Sequence, residues 1–173
     1  MNAKKDSFRE IYEQNFNYIY NYVYSRLAGD SSNIEDLVQG IFFAAARSFE
    51  SYEGRSSIKT WLYSIAKHKI IDYYRKEISK RTLIKTGSFF YEIKSEGIQR
   101  DFTSSLQQDE EKEKVIGVLN KMSPIYKYSL LLKYIDEYSM KEIGRTLKKT
   151  PKEVDGILQR AKTEFKEHFL NKE

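Results

Sequence analysis

The sequence contains no cysteine, which rules out both a disulfide framework and a thiolate metal site. Its two histidines, His68 and His168, are isolated and lack ligand spacing, so no metal site is expected. No segment approaches the roughly 20 apolar residues that a bilayer-crossing helix requires. The start, Met1-Asn2-Ala3-Lys4-Lys5-Asp6-Ser7, has no apolar core of the kind a signal peptide carries. These absences lead to the expectation of a soluble, cytoplasmic chain with no membrane insertion. Paired carboxylates, histidine clusters and a glycine-rich phosphate loop are also missing. No catalytic residue and no cofactor is therefore expected, and the chain does not read as an enzyme.

The 173 residues suffice for one ordinary domain or two small ones. Charged residues make up 32% and the mean hydropathy is −0.67, yet 40% hydrophobic residues still allow packed cores. A formal net charge of +5 and a pI near 9.1 suit a polyanionic partner, a property shared by many proteins that touch no nucleic acid.

Apolar residues recur at helical spacing almost throughout. Phe8, Ile11, Tyr12, Phe16, Ile19, Tyr20, Val23 and Leu27 form one face of a first helix, which Gly29-Asp30 breaks. Ser32-Asn33-Ile34-Glu35 has the form of a capping box, opening a second helix with Ile34, Leu37, Val38, Ile41, Phe42, Ala45 and Phe49 inward. Residues 52–57 read as a loop, followed by a third helix from about Lys59 to Lys80 with Leu62, Ile65, Ala66, Ile70 and Tyr73 inward. Three such helices can close a small core. Residues 81–112 are interrupted by Gly87-Ser88, Ser95-Glu96-Gly97 and Thr103-Ser104-Ser105. They read as a polar linker, either a disordered spacer or a segment that docks on a partner.

From Asp109 the helical period returns. Only two prolines occur, and both sit at helix starts: Pro124 after the cap residue Ser123, and Pro151 after Thr150. Ser139-Met140-Lys141-Glu142 is a second capping box. These signals delimit a short helix from Met140 to Leu147 and a longer basic one from Pro151 to about Phe169. The expected fold class is all-α: two small helical domains, residues 1–80 and 113–173, joined by the linker 81–112.

A short helix followed by a long basic one is the helix-turn-helix layout, though an ordinary hairpin with a solvated basic face has the same pattern. Gly144 is the small residue that lets the short helix pass close to the long one. With Val154, Leu158, Ala161 and Phe165 inward, Lys152, Asp155, Gly156, Gln159 and Arg160 point out, where major-groove base edges would lie. Lys152, Lys162 and Lys166 suit phosphates, whereas Asp155 is repelled by them unless it accepts from a cytosine amino group. In the second helix, Asp36, Gln39, Gly40, Phe43 and Arg47 lie opposite the apolar face, so Phe43 is either a protein contact or a single exposed aromatic. The third helix interleaves Lys67, His68, Arg75, Lys76, Lys80 and Arg81 with Tyr52, Trp61, Tyr63, Tyr73 and Tyr74. That mixture suits unpaired nucleic acid, and equally a solvated basic row over core aromatics.

Three strings in the first half and two in the second resemble the extracytoplasmic-function (ECF) sigma factors. Glu35-Asp36-Leu37-Val38-Gln39-Gly40-Ile41-Phe42 looks like the family's D-L-V-Q-E-x-F signature. Ser57 to Ala66 is similar to its x-F-x-x-W-L-x-x-I-A stretch, and Ile71-Asp72-Tyr73-Tyr74-Arg75-Lys76 to the I-D-x-x-R-[KR] that follows. Leu119 to Pro124 resembles the segment opening region 4, and Ser139 to Lys162 its helix-turn-helix. The resemblance covers both units in order. It implies core RNA polymerase and promoter DNA as partners, with region 2 in residues 1–80 and region 4 in 113–173.

By that resemblance, Asp36, Gln39, the position of Gly40 and Phe43 face the β′ clamp helices, and the β flap is a second polymerase contact. Arg55, Ser56, Ser57, Lys59, Trp61, Lys67, His68 and Arg75 would handle the −10 element as it opens, holding an extruded base. Lys152, Asp155, Gly156, Gln159, Arg160 and Lys162 would read the −35 element as duplex. An anti-sigma factor is a partner that the family often has. The sequence departs from the pattern at three places: Gly40 replaces an acidic residue, Lys148 replaces a turn glycine, and Asp155-Gly156-Ile157 replaces a basic polar stretch. The rival readings are a helix-turn-helix regulator or a sigma-like protein that does not initiate, and a helical enzyme or an adaptor that binds only protein.

Overall fold

The computed structural model describes residues 3–28, 31–85 and 106–170. Gly29-Asp30, expected to break the first helix, and the middle of the expected linker lie outside the described residues. Every extended regular element among the described residues is a helix, as the sequence leads one to expect: α1 (Ala3–Leu27), α2 (Ser31–Ser48), α3 (Ile58–Lys85), α4 (Leu106–Lys121), α5 (Pro124–Tyr134), α6 (Met140–Leu147) and α7 (Pro151–Leu170). A single 3₁₀ turn, Phe49–Ser51, follows α2. The chain forms two compact units that divide within α3, the first running through Asp72 and the second beginning at Tyr73.

In the first unit α1 buries Ile19, Val23 and Leu27 in the predicted register, together with Tyr22. Ile34, Val38, Ile41, Phe42 and Ala45 of α2 and Leu62, Ala66 and Ile70 of α3 complete the core. Each fully buried aliphatic side chain contributes about 1.5–3 kcal/mol. Aromatic rings extend this core toward the N-terminal end of α1. Tyr12 meets Phe42 edge-on at 4.7 Å, and Phe8 lies 5.5 Å from Phe49. Ala28 closes α1 in the left-handed region at φ 51. Helix α2 begins at Ser31, and the side chain of Ser32 lies outside the described residues.

In the second unit Val118 and Leu119 of α4, Met122 just after it, and Leu130, Leu131 and Leu132 of α5 are buried with Ile143 of α6. Val154, Ile157, Leu158 and Ala161 of α7 join the same core. Tyr74 is fully buried here, its ring stacked on Tyr128 with centroids 4.2 Å apart. The sequence pattern placed the neighbouring Tyr73 inward, but Tyr73 is only half-buried. One residue turns the direction by about 100° on a helix, and the stacking partner decides which tyrosine it takes. Helix α3 also runs past the expected Lys80 to Lys85, a stretch with neither glycine nor proline to stop it.

Reciprocal caps open both α6 and α7. Ser139 Oγ accepts from the Glu142 backbone amide, while the Glu142 carboxylate accepts from the Ser139 amide at 2.9 Å. Thr150 and Glu153 repeat the arrangement at the head of α7, at 3.3 and 2.8 Å. Lys148 stands between them in the left-handed region at φ 55, where the turn would ordinarily use glycine. Gly144 is required by the turn itself and not by α7. A Cβ there would lie 2.6 Å from the Lys149 carbonyl oxygen.

Candidate nucleic-acid interface

Asp36, Gln39 and Phe43 all project from the exposed side of α2, with Gly40 half-buried between them. Phe43 is 66% exposed, the highest value among the large apolar side chains of the described residues. The guanidinium of Arg47 lies 5.9 Å from its ring centroid, so the aromatic sits in a polar setting one turn from a cation. Around the Gly40 Cβ position there is open space within 4 Å, so this glycine answers no packing demand.

The loop ahead of α3 is held by its own side chains. Gly54 takes φ 71, which makes the sharp reversal. The Tyr52 hydroxyl donates to the Ser56 carbonyl, and Arg55 pairs with Glu53 at 2.6 Å on the exposed surface. Ser57 caps α3: its hydroxyl oxygen accepts from the Thr60 amide at 3.2 Å. Trp61 is half-buried, 4.9 Å from the Tyr52 ring and 6.2 Å from that of Phe49. The tryptophan thus belongs to an aromatic cluster that also presents an accessible edge. Lys59, Lys67 and His68 are exposed along α3. Lys59 Nζ lies 5.7 Å from the ring of Tyr18 on α1, and His68 Nδ1 donates to the Ser64 carbonyl at 2.7 Å.

Arg75 lies further along the same helix, α3. It belongs to the second unit, where its Nε donates to the Thr146 carbonyl at 2.9 Å.

On α7 the buried stripe leaves Lys152, Asp155, Gln159 and Arg160 exposed and Gly156 half-exposed, as the spacing implies. Ile157, part of the departure from the family pattern, faces the core and so leaves the outward surface unchanged. Gln159 Nε2 donates to Asp155 Oδ2 at 3.0 Å. Lys162 lies over Tyr134, 5.7 Å from the ring centroid. Its hydrogen bond and charge interaction with Tyr134, with a smaller contribution from Asp155, hold the ammonium above the usual 10.5. On the other flank Arg160 Nε donates to Tyr126 Oη at 3.2 Å. Tyr126, Lys149, Lys152, Gly156 and Arg160 line an open cleft of about 540 Å³.

Tyr126 and Tyr134 escaped the sequence reading because both lie on α5 and reach α7 only through the tertiary fold. Among the described residues no group of three or more potential metal-ligating side chains comes together, and no helix is long and apolar enough to cross a membrane.

Comparison with known proteins places this arrangement. Residues 11–79 match the family model for Sigma-70 region 2, and residues 112–165 that for Sigma-70, region 4. The chain is 30% identical to the RNA polymerase sigma factor YlaC of Bacillus subtilis (strain 168), over 95% of its own length and 93% of that protein. It is 27% identical to the ECF RNA polymerase sigma factor SigX of the same organism, over 95% and 84%. Among solved structures, the sigma factor RpoE in complex with the anti-sigma factor NepR from Bartonella quintana is similar with a TM-score of 0.52. That match covers 96% of this chain and 99% of the other at 20% identity, a likeness of fold alone.

Proposed function

Because this chain belongs to the sigma-70 family, as one of its ECF sigma factors, we propose a division of labour between its two units in bringing core RNA polymerase to promoters. Region 2, in residues 1–80, binds core polymerase and the opening −10 element. Region 4, in residues 113–173, reads the −35 element as duplex and meets the β flap. Residues 81–112 connect them. The chain supplies recognition, and nucleotide addition stays with the polymerase, so it is no enzyme and works in the cell interior where polymerase is.

The observation that carries this reading is the outer face of α2. Phe43 is two-thirds exposed beside Asp36 and Gln39, on a helix whose other face is fully committed to the core. An aromatic anchor ringed by polar groups has the composition of a protein-contact centre, and we assign it to the β′ clamp helices. A DNA-binding regulator working without polymerase has no need of this face. The loop from Arg55 to Ser57, with Lys59, Trp61, Lys67 and His68, combines cations with an accessible aromatic edge. That combination suits phosphates and unpaired bases of an opened −10 strand. Arg75 contributes to −10 binding once its bond to Thr146 is released. On α7, Lys152 and Lys162 suit phosphates, while Asp155, Gly156, Gln159 and Arg160 face base edges. An anti-sigma factor that holds the chain inactive would compete for these same surfaces.

Run-off transcription with core polymerase from the host tests the proposal. The chain should direct transcripts from a subset of a promoter library. Stable binding to core with no transcript from any promoter would reject it.

A further inference from the structure

We infer that a second single-strand surface adjoins the −10 residues, formed by Tyr18 and Arg26 of α1 with Tyr63 and Lys67 of α3. The inference rests on the proposed −10 role of region 2. It adds a site for the unpaired nucleotides that flank the −10 bases on the same strand.

Lys59 joins the two surfaces. It belongs to the proposed −10 set, and its Nζ stands 5.7 Å from the ring centroid of Tyr18. Tyr18 nevertheless keeps 43% of its surface exposed. One turn further along each helix, the rings of Tyr22 and Tyr63 meet with centroids 4.4 Å apart. Tyr22 is buried and acts as a floor, with the Arg26 guanidinium 3.9 Å from its centroid. Arg26 and Tyr63 are half-buried, and Lys67 is exposed.

The spacing makes this a track and not a spot. Tyr18, Tyr22 and Arg26 follow each other at four-residue steps on α1, as Lys59, Tyr63 and Lys67 do on α3, so each trio shares one face of its helix. Eight residues of helix extend about 12 Å. That length matches about three phosphates at the roughly 3.4 Å spacing along one strand. Contact between the helices accounts for the buried Tyr22. It does not account for an accessible ring at Tyr18 or for cations at both ends of the track.

The charge around the track has one sign. From Gln14 to Ala28 and from Ile58 to Ile71 the sequence carries no aspartate or glutamate, while Arg26, Lys59 and Lys67 all fall within these stretches. Aromatic rings stack on any base, and a guanidinium lying on a ring offers both a plane to a base and charge to a phosphate. A duplex keeps the faces of its bases stacked on one another and closed to Tyr18. The ligand that fits is therefore single-stranded DNA, taken with little preference for base.

The test uses the full chain in holoenzyme and a labelled single strand carrying the −10 bases of a promoter that the run-off library returns. Three further nucleotides on one side of those bases should tighten binding at least about fivefold, whatever their bases, and an abasic extension should gain less. Tyr18→Ala should remove the gain and leave affinity for the unextended strand unchanged, which also shows that the variant is folded. Tyr18→Phe keeps the ring and should keep the gain. Arg26→Ala should lower the dependence of log affinity on log salt by about 0.7 for the extended strand. No gain from extension on either side would overturn the inference and leave the sigma-factor reading intact. So would a gain that survives both alanine variants, or a loss in Tyr18→Ala that is equal for extended and unextended strands. A library that returns no promoter rejects the sigma-factor reading, and this inference with it.

Discussion

The carbonyl oxygen of Lys149 lies 2.6 Å from the point that a Cβ on residue 144 would occupy. The same turn is tied by the Lys149 amide, which donates to the Gly144 carbonyl at 2.9 Å. Backbone stands on both sides of the clash, so no flexible side chain can move aside. Gly144→Ala should therefore destabilise the second unit by about 1–3 kcal/mol, the usual cost of overpacking. Urea unfolding followed by circular dichroism measures it, and a midpoint equal to wild type would show that the turn can open at no cost.

Phe43 is two-thirds exposed, with the Arg47 guanidinium 5.9 Å from its ring centroid, so its loss removes little buried surface. Phe43→Ala should leave the unfolding midpoint within about 0.5 kcal/mol of wild type, as surface substitutions usually do. Affinity for core polymerase should fall by at least about 1 kcal/mol if the ring is an anchor of the interface. Titration of labelled core polymerase with both proteins separates the two effects. Equal affinity would move the polymerase contact away from this face of α2.

The features legible in the sequence are those whose determinants lie within one helical turn. Ser139 with Glu142 and Thr150 with Glu153 mark their helix starts through bonds spanning three residues, and both are present. The outward placement of Asp36, Gln39 and Phe43 follows from helical period alone. What escaped depends on partners far along the chain. Tyr74 rather than Tyr73 is buried because Tyr128 stacks on it. Arg160 is steadied by Tyr126, 34 residues away, and Arg75 by Thr146, 71 residues away. The position of Gly144 in the sequence suggests an approach between helices. The turn carbonyl that demands it becomes visible only once Lys148 adopts its left-handed conformation.

Glu153 gives the helix-turn-helix an acid limit. Its carboxylate accepts from the Thr150 amide and hydroxyl, both at 2.8 Å, and from Lys149 Nζ at 3.3 Å. The backbone bond first, then the hydroxyl and the lysine, hold its pKa below the usual 4.5. A folded-state pKa lower than the unfolded one means that the stabilisation is present above the unfolded value. It is lost as the pH falls from about 4.5 through the folded value. Glu153→Gln should therefore be less stable than wild type at pH 7, with the difference shrinking below pH 4.5. Thermal melts across that range test it, and a difference independent of pH would assign the effect to the cap geometry alone.

Tyr126 holds Arg160 by its side chain and should act on DNA reading through that arginine. Its hydroxyl accepts from Arg160 Nε at 3.2 Å, which leaves the terminal guanidinium nitrogens to face a base. If Arg160 reads guanine, Arg160→Ala should cost about 1–3 kcal/mol at one base position and relax the preference there. A phosphate contact would instead weaken all sequences alike and lower the salt slope by about one. Tyr126→Phe removes the acceptor but keeps the ring. It should give a smaller loss of preference at the same position, with little change in stability. In the double variant the tyrosine change should add nothing, since its effect passes through the arginine. Holoenzyme binding to duplexes carrying each base at that position measures all three variants. Additive losses for Tyr126→Phe and Arg160→Ala would show that the hydroxyl acts independently of the guanidinium it holds.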